Sequence, residues 1–354
     1  MAVGQRTWWA ALLVAALGGG GAVQAAPLKL AVVGDSDSHA YHDGTQFSGR
    51  DGLRGGAFHA TTWQWTEWLQ RLRSAQVDQG SWGHYGSRRL VALLEESLGR
   101  PARVPEKEDF AYNFAVSGAV CNDLMNVQKQ MPRLVRLMDE SAASWRGGVV
   151  ILRIGVNSFG QRDSLERLAA NRAPDVIAQI DRCIADVGDA VAYLHRHHPD
   201  TRVVLVGIFD NAHVGQNIHR WQSPREQANI TLALDRYDAA LKAMAARDPR
   251  IAFFDDRAWF AALWGGRTPE GRPGYRPVNV DGRLVVTNTQ GDAPCHAILA
   301  DGHAGTVWNA LWAKAMVHVL NQRFAAGIRP ITAAEIASSA IGGARPGAQG
   351  CSPS

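Results

Sequence analysis

Cysteine is scarce in this chain, and its four copies, Cys121, Cys183, Cys295 and Cys351, stand far apart. No Cys-x-x-Cys occurs, which argues against a structural zinc site; in an oxidising compartment the four would pair in one of three ways that spacing does not choose among. There is no polybasic block and no aromatic–basic repeat. With a formal net charge of only +4, this speaks against nucleic acid as a partner. No internal repeat is visible. Long hydrophobic runs are missing as well. The longest apolar stretch, Trp8 to Leu17, has about ten residues where a membrane span needs about twenty. No cysteine follows it closely, which removes a lipid anchor.

What surrounds that short stretch is informative. Arg6 precedes it, and a glycine-rich segment ending in Val23-Gln24-Ala25 follows. A positive start, a short apolar core and small residues at a cleavage position form the layout of a secretory leader. The alternative is an anchor retained in the mature protein. The expectation is therefore a leader over 1–25, a mature chain starting near Ala26, a secreted or periplasmic location, and no stable membrane insertion once the leader is gone. About 330 residues remain, enough for one large domain over 26–328.

Five short apolar runs recur: Leu28 to Val33, Tyr112 to Val116, Val149 to Ile154, Arg202 to Ile208 and Ile251 to Phe254. Helical periodicity fills the gaps at Gly86 to Leu98, Asn122 to Met138, Pro174 to His197, Pro224 to Ala246 and Thr306 to Phe324. Continuous apolar strands alternating with helices predict an α/β fold, a doubly wound and mainly parallel five-stranded sheet with helices on both faces. Two stretches, 38–83 and 255–300, exceed ordinary loop length and are expected as insertions that wall a pocket. Residues 329–354 are rich in small residues, Pro and Gly and read as a frayed tail, with one turn of helix capped by Thr332 and Glu335.

Each strand end delivers a polar element. Gly34-Asp35-Ser36 follows the first run, Ser117-Gly118 the second, Gly155-Val156-Asn157 the third, and Asp301-Gly302-His303 precedes the last helix. Strand C-termini of a doubly wound sheet converge on one crevice. There these residues supply a hydroxyl nucleophile, an imidazole base, a carboxylate and donors for an oxyanion. Alone, Gly34-Asp35-Ser36 could be a turn with Asp35 as a helix cap; four elements in order carry more weight.

This set resembles the GDSL, or SGNH, hydrolase family, whose four blocks carry Ser, Gly, Asn and His, and the resemblance runs from residue 28 to about 320. It implies a flavodoxin-like three-layer sandwich and ester hydrolysis through an acyl-serine intermediate, with no cofactor and no metal. It assigns Ser36 as nucleophile, His303 as general base, and Asp301 as the acid that holds the imidazole. The oxyanion would be met by the backbone N–H groups of Ser36 and Gly118 and by the Asn157 amide. Three departures are plain: Ser158 stands where the third block usually has Asp, the first block continues Asp37-Ser38 where a leucine is common, and Asp301 lies two rather than three residues before His303.

Asp35, His39, Asn211 and Trp221 are assigned to the pocket wall. His39, His42 and Asp43 lie close together but lack a second ligand cluster, so they are read as flanking the crevice rather than as holding a metal. His296 with Asp292 is a rival base pair, and His195, His197 and His198 end a helix where positive charge is favoured. Trp65 and Trp68 are expected in the core, although the tryptophan-bearing insertion as a whole suggests a sugar surface. The expected substrate is thus a small-molecule or carbohydrate ester with a short acyl group. The alternatives are a lipid or aryl ester hydrolase, an acyltransferase, or a catalytically silent carbohydrate-binding variant.

Overall fold

A computed structural model describes residue 1 and residues 26–47, 61–100 and 102–343. The leader expected over 1–25 lies, apart from Met1, outside the described residues, as do residues 48–60 of the first insertion and residues 344–354 of the tail, Cys351 among them.

In chain order the strands are β1 (Leu28–Gly34), β2 (Val77–Asp78), β3 (Trp82–Tyr85), β4 (Lys107–Phe110), β5 (Val149–Arg153), β6 (Arg202–Val206) and β7 (Ile251–Phe254), followed by the short β8 (Gly265–Arg267), β9 (Pro273–Tyr275), β10 (Val278–Val280), β11 (Leu284–Gln290) and β12 (His296–Ile298). The helices are α1 (Trp65–Arg73), α2 (Arg89–Ser97), α3 (Gln130–Asp139), α4 (Arg162–Ala169), α5 (Pro174–His197), α6 (Pro224–Arg247), α7 (Asp256–Trp264), α8 (Thr306–Phe324) and α9 (Ala333–Gly343). The central sheet has the order β2-β1-β5-β6-β7, and all of its pairings are parallel.

Strand periodicity of two sends alternate side chains to opposite faces. Leu30, Val32, Ile151 and Val204 pack with Trp65, Trp68 and Trp312 of α1 and α8. Ala31, Val33, Val150 and Leu152 pack with α3, α5 and α6. Both faces are covered, which is why the strands read as unbroken apolar runs. The tryptophans of the first insertion that are described before α1's end belong to this core rather than to a sugar-stacking surface: Trp65 and Trp68 are fully buried. Trp68 donates its indole N–H to the Thr306 carbonyl at 2.8 Å.

Three expectations need correction. Tyr112 to Val116 is not a regular strand, because it meets β1 through a single bridge at Asn113. The Asn113 side chain accepts from the Ala115 N–H at 3.0 Å, which bends the backbone. The outer carbonyls of Asn113 and Ala115 are taken by the Arg103 and Lys107 side chains. β2 supplies the fifth strand instead. The helix expected from Asn122 to Met138 is broken by Lys129 at φ +48°, leaving a 3₁₀ turn at Cys121–Leu124 before α3. Finally, the expected frayed tail is ordered over its first part. The Thr332 and Glu335 capping pair is present, but it opens a full helix, α9, whose Ile336, Ala337 and Ala340 are buried against the core.

Cys121 and Cys183 form a disulfide that ties the 3₁₀ turn to α5, and Cys295 is also disulfide-bonded. Among the described residues no helix is long and apolar enough to cross a membrane.

Candidate active site

β1 ends against β5 so closely that a Cβ on Gly34 would lie 2.0 Å from the Arg153 carbonyl oxygen; only glycine permits that approach. The Gln130 side chain clamps both the N–H and the carbonyl of Gly34, at 2.8 and 2.9 Å. The chain then turns, with the Ser38 and His39 N–H groups both donating to the Asp35 carbonyl at 3.1 Å. Ser36 is lifted to the rim of the sheet and points at the far end of the chain. His303 Nε2 is 3.0 Å from Ser36 Oγ across a sequence separation of 267.

The meeting is held by contacts between the first insertion and the entry of α8. Tyr41 donates its hydroxyl to the Ala304 carbonyl at 2.9 Å, one residue past His303. Behind the ring, Asp301 Oδ2 is 3.1 Å from His303 Nδ1, an ion-pair distance. Nδ1 nevertheless makes no aligned hydrogen bond. The other carboxylate oxygen accepts the His303 backbone N–H at 3.0 Å. The shortened Asp-to-His spacing thus lets one carboxylate cap its own loop while reaching the ring off-axis.

Gly118 tops a loop at φ +80° with open space beside its α-carbon. Asn157, on a single π turn over Val156–Gly160, donates to the Ala119 carbonyl at 2.9 Å and accepts from Gln161 at 2.9 Å, so the two loops are joined edge to edge. Asn157 lines the same cavity as Ser36 and His303, a cleft of about 410 Å³. Asn211 lines it too, its amide donating to the Gly160 carbonyl at 2.9 Å.

The other three residues assigned to the wall are elsewhere. Asp35 is buried under the turn, where one oxygen accepts the Asp37 N–H at 3.0 Å and the other has no partner. Burial, with the Asp37 charge adding to it, pushes its carboxyl up to about 8. His39 is fully buried and accepts the Ser117 N–H on Nδ1 at 3.1 Å, while Nε2 meets Asp43 at 2.7 Å. Burial, helped by Lys107, lowers the imidazole to about 4. It supports the Gly118 loop from beneath and does not border the cleft. Trp221 packs on the core face formed by α5 and α6 and is not part of the cleft lining. His296, the rival base, bonds Thr289 at 2.7 Å, and its expected carboxylate Asp292 instead accepts the Ala300 N–H.

Other lining residues were not anticipated. Arg153 ends β5 beneath Ser36, donating to the Asp37 carbonyl and to Asp256, each at 3.0 Å; a charged residue closing an otherwise apolar strand was the available signal. Phe209, Trp308 and Gln216 also line the cleft, but nothing in their sequence neighbourhood distinguishes them from ordinary core or loop residues. Among the described residues no group of three or more His, Cys, Asp and Glu is arranged to hold a metal.

The GDSL-like lipase/acylhydrolase family model matches residues 30–255. The chain belongs to the GDSL-like lipase/acylhydrolase family. Solved structures similar to this GDSL-family chain are distant ones. An extracellular lipase from Streptomyces rimosus is 18% identical, with 66% of this chain and 82% of that chain covered and a TM-score of 0.33. Phospholipase A1 from Streptomyces albidoflavus is 15% identical, with coverage of 84% and 100% and a TM-score of 0.36. No curated protein matches this GDSL-family member.

Proposed function

We propose that this acylhydrolase is an exported serine esterase that cleaves short acyl esters, acetyl above all, from a polar alcohol such as a carbohydrate. The observation that carries the reading is the 3.0 Å contact between Ser36 Oγ and His303 Nε2 at the rim of a cleft of mixed lining. Nε2 accepts the hydroxyl proton as Ser36 attacks the carbonyl carbon, and the proton then passes to the leaving alcohol. Water, deprotonated by the same nitrogen, releases the acid from the acyl-serine. The backbone N–H groups of Ser36 and Gly118 and the free N–H of the Asn157 amide are the donors for the oxyanion. Asp301 orients the imidazole electrostatically.

The substrate class follows from the lining. Phe209, Val214, Ile298 and Trp308 are apolar lining residues, while Gln161, Arg162, Asn211, Gln216 and Asn217 supply amide and guanidinium groups suited to hydroxyls. Polar residues make up most of the lining, which suits a short acyl group better than a long chain. Export is supported by the Cys121–Cys183 disulfide, a bond that reducing compartments do not sustain. A chain-length series of p-nitrophenyl esters, run beside an acetylated polysaccharide, tests the reading. Acetate is expected to exceed octanoate in kcat/KM; the reverse preference would reject the short-acyl assignment in favour of a lipid ester hydrolase. Fluorophosphonate labelling that disappears in Ser36→Ala tests the nucleophile separately.

A further inference from the structure

α2 is laid on the protein inside out. Its Leu90 and Leu94, with Leu98 immediately after its end, repeat every four residues on one face, with Val91 and Leu93 on either side. All five are exposed, Leu90 at 81% and Leu94 and Leu98 at 61%. The helix is held by its polar side. Glu96 pairs with Arg133 at 2.8 Å and with Lys129 at 3.1 Å, Glu95 accepts from the Ser87 hydroxyl at 3.1 Å, and Ala92 is the one buried residue of the helix. A face of five large apolar side chains costs solvation unless something covers it.

Arginines mark both ends of that face. Arg88, Arg89 and Arg100 are exposed and form no ion pair among the described residues. A second copy of the chain would bring arginine against arginine in either orientation of the helices, because both ends are basic. An anionic surface with an apolar layer beneath it satisfies the arginines and the leucines together. The helix also stands near the chemistry. Lys129 and Arg133, which hold Glu96, flank Gln130, and Gln130 clamps Gly34 two residues before Ser36. Val120 and Val127, between Gly118 and α3, are exposed as well.

We propose that α2 is an interfacial helix that seats the enzyme on an anionic phospholipid surface, its leucines in the acyl boundary and its arginines among the headgroups, with the active-site edge held close to that surface. This does not depend on the substrate assignment, since an ester displayed at a membrane would be reached from the same position.

Co-sedimentation of the full chain with phosphatidylcholine vesicles, with and without phosphatidylglycerol, tests it, turnover of soluble p-nitrophenyl acetate serving as the check on folding. Binding to the phosphatidylglycerol vesicles is expected, weakened by high salt. Leu90→Glu/Leu94→Glu is expected to lower the partition by on the order of a hundredfold with soluble turnover unchanged. Arg88→Gln/Arg89→Gln should lower it by on the order of twentyfold and remove the preference for anionic lipid. The arginine pair decides the matter if the leucine variant fails to fold. No vesicle binding by the wild type, or equal binding by the arginine variant, overturns the proposal. Concentration-dependent dimers abolished by the leucine changes, without vesicle binding, overturn it in favour of self-association.

Discussion

His39 with Asp43 and His303 with Asp301 both bring an imidazole and a carboxylate to the Ser36 end of β1, but the two pairs differ in what the ring nitrogens face. His39 is sealed, both side chains of the pair having no exposure. Its Nδ1 accepts from the Ser117 N–H, so Nε2 carries the proton and donates to Asp43. A ring with both nitrogens occupied inside the protein has no proton to move. His303 retains about a third of its side-chain exposure, with Nε2 on the serine hydroxyl and the carboxylate off-axis behind it. The same residue types therefore build a strut in one place and, in the proposed reaction, a base in the other. Access to solvent and to a reacting hydroxyl makes the difference, not the presence of a carboxylate.

His303→Ala gives the largest separation between the pairs. Loss of the base is expected to lower kcat/KM by about 10⁴ or more while the thermal transition stays within a few degrees of the parent. His39→Ala should do the converse. It leaves Asp43 buried without its partner and Ser117 without an acceptor, at a cost of about 3 kcal/mol in stability, read from denaturant unfolding. Turnover per folded molecule would fall far less than in His303→Ala. Equal activity losses in the two variants would erase the distinction.

Next in size is Asn157→Ala. It withdraws one of the proposed oxyanion donors and also frees the Ala119 carbonyl, next to the loop position that His39 holds from below. Removal of such a donor costs about 3 kcal/mol of transition-state stabilisation, or roughly a hundredfold in kcat. KM on p-nitrophenyl acetate should barely move, since the donor acts on charge that develops only in the transition state. A rise in KM with unchanged kcat would place Asn157 in ground-state binding instead.

Asp301→Asn is expected to be milder, on the order of tenfold in kcat/KM. The carboxylate reaches Nδ1 at 3.1 Å without alignment and so orients the ring weakly, whereas in a fully aligned triad the same change costs about 10⁴. A loss of that larger size would mean that the carboxylate swings into line when substrate binds.

The parts that could be read in advance were those carried by local pattern. β1, β5 and β7 and the helices α5 and α8 follow from apolar runs and periodicity, and the short motifs at Ser36 and Asn157 follow the ends of β1 and β5, with His303 brought to Ser36 from just ahead of α8. What could not be read depends on distant partners. Tyr112 to Val116 has strand composition, but Arg103 and Lys107 take the carbonyls that a neighbouring strand would have bonded. His39 beside Ser36 in sequence suggested the pocket; its burial results from Lys107, Asp109 and Asn113 folding beneath the turn. Trp308 reaches the cleft because of the way α8 is rotated on the sheet, and no short window of sequence contains that angle.

The smallest effect is one of pH, and it follows from the sealed pair. Burial lowers His39 to about 4 from its ordinary 6.5, so between those values the unfolded chain binds a proton that the folded protein does not. Stability from this site is complete above about 6.5 and is lost as pH falls toward about 4. Asp35 has the opposite sign. Raised to about 8 from 3.8, it favours the folded state in acid, and its contribution disappears as pH rises through about 8. His39→Gln retains an acceptor and a donor without titrating, and it should flatten the acid limb of a melting-temperature profile by a few degrees while leaving the alkaline limb alone. Asp35→Asn should remove a decline that runs from about 3.8 to about 8, and so should steepen the acid limb as well as flatten the fall above neutrality. If His39→Gln keeps the full acid slope, the imidazole is already charged in the folded protein, and its role as a neutral strut fails together with the contrast to His303.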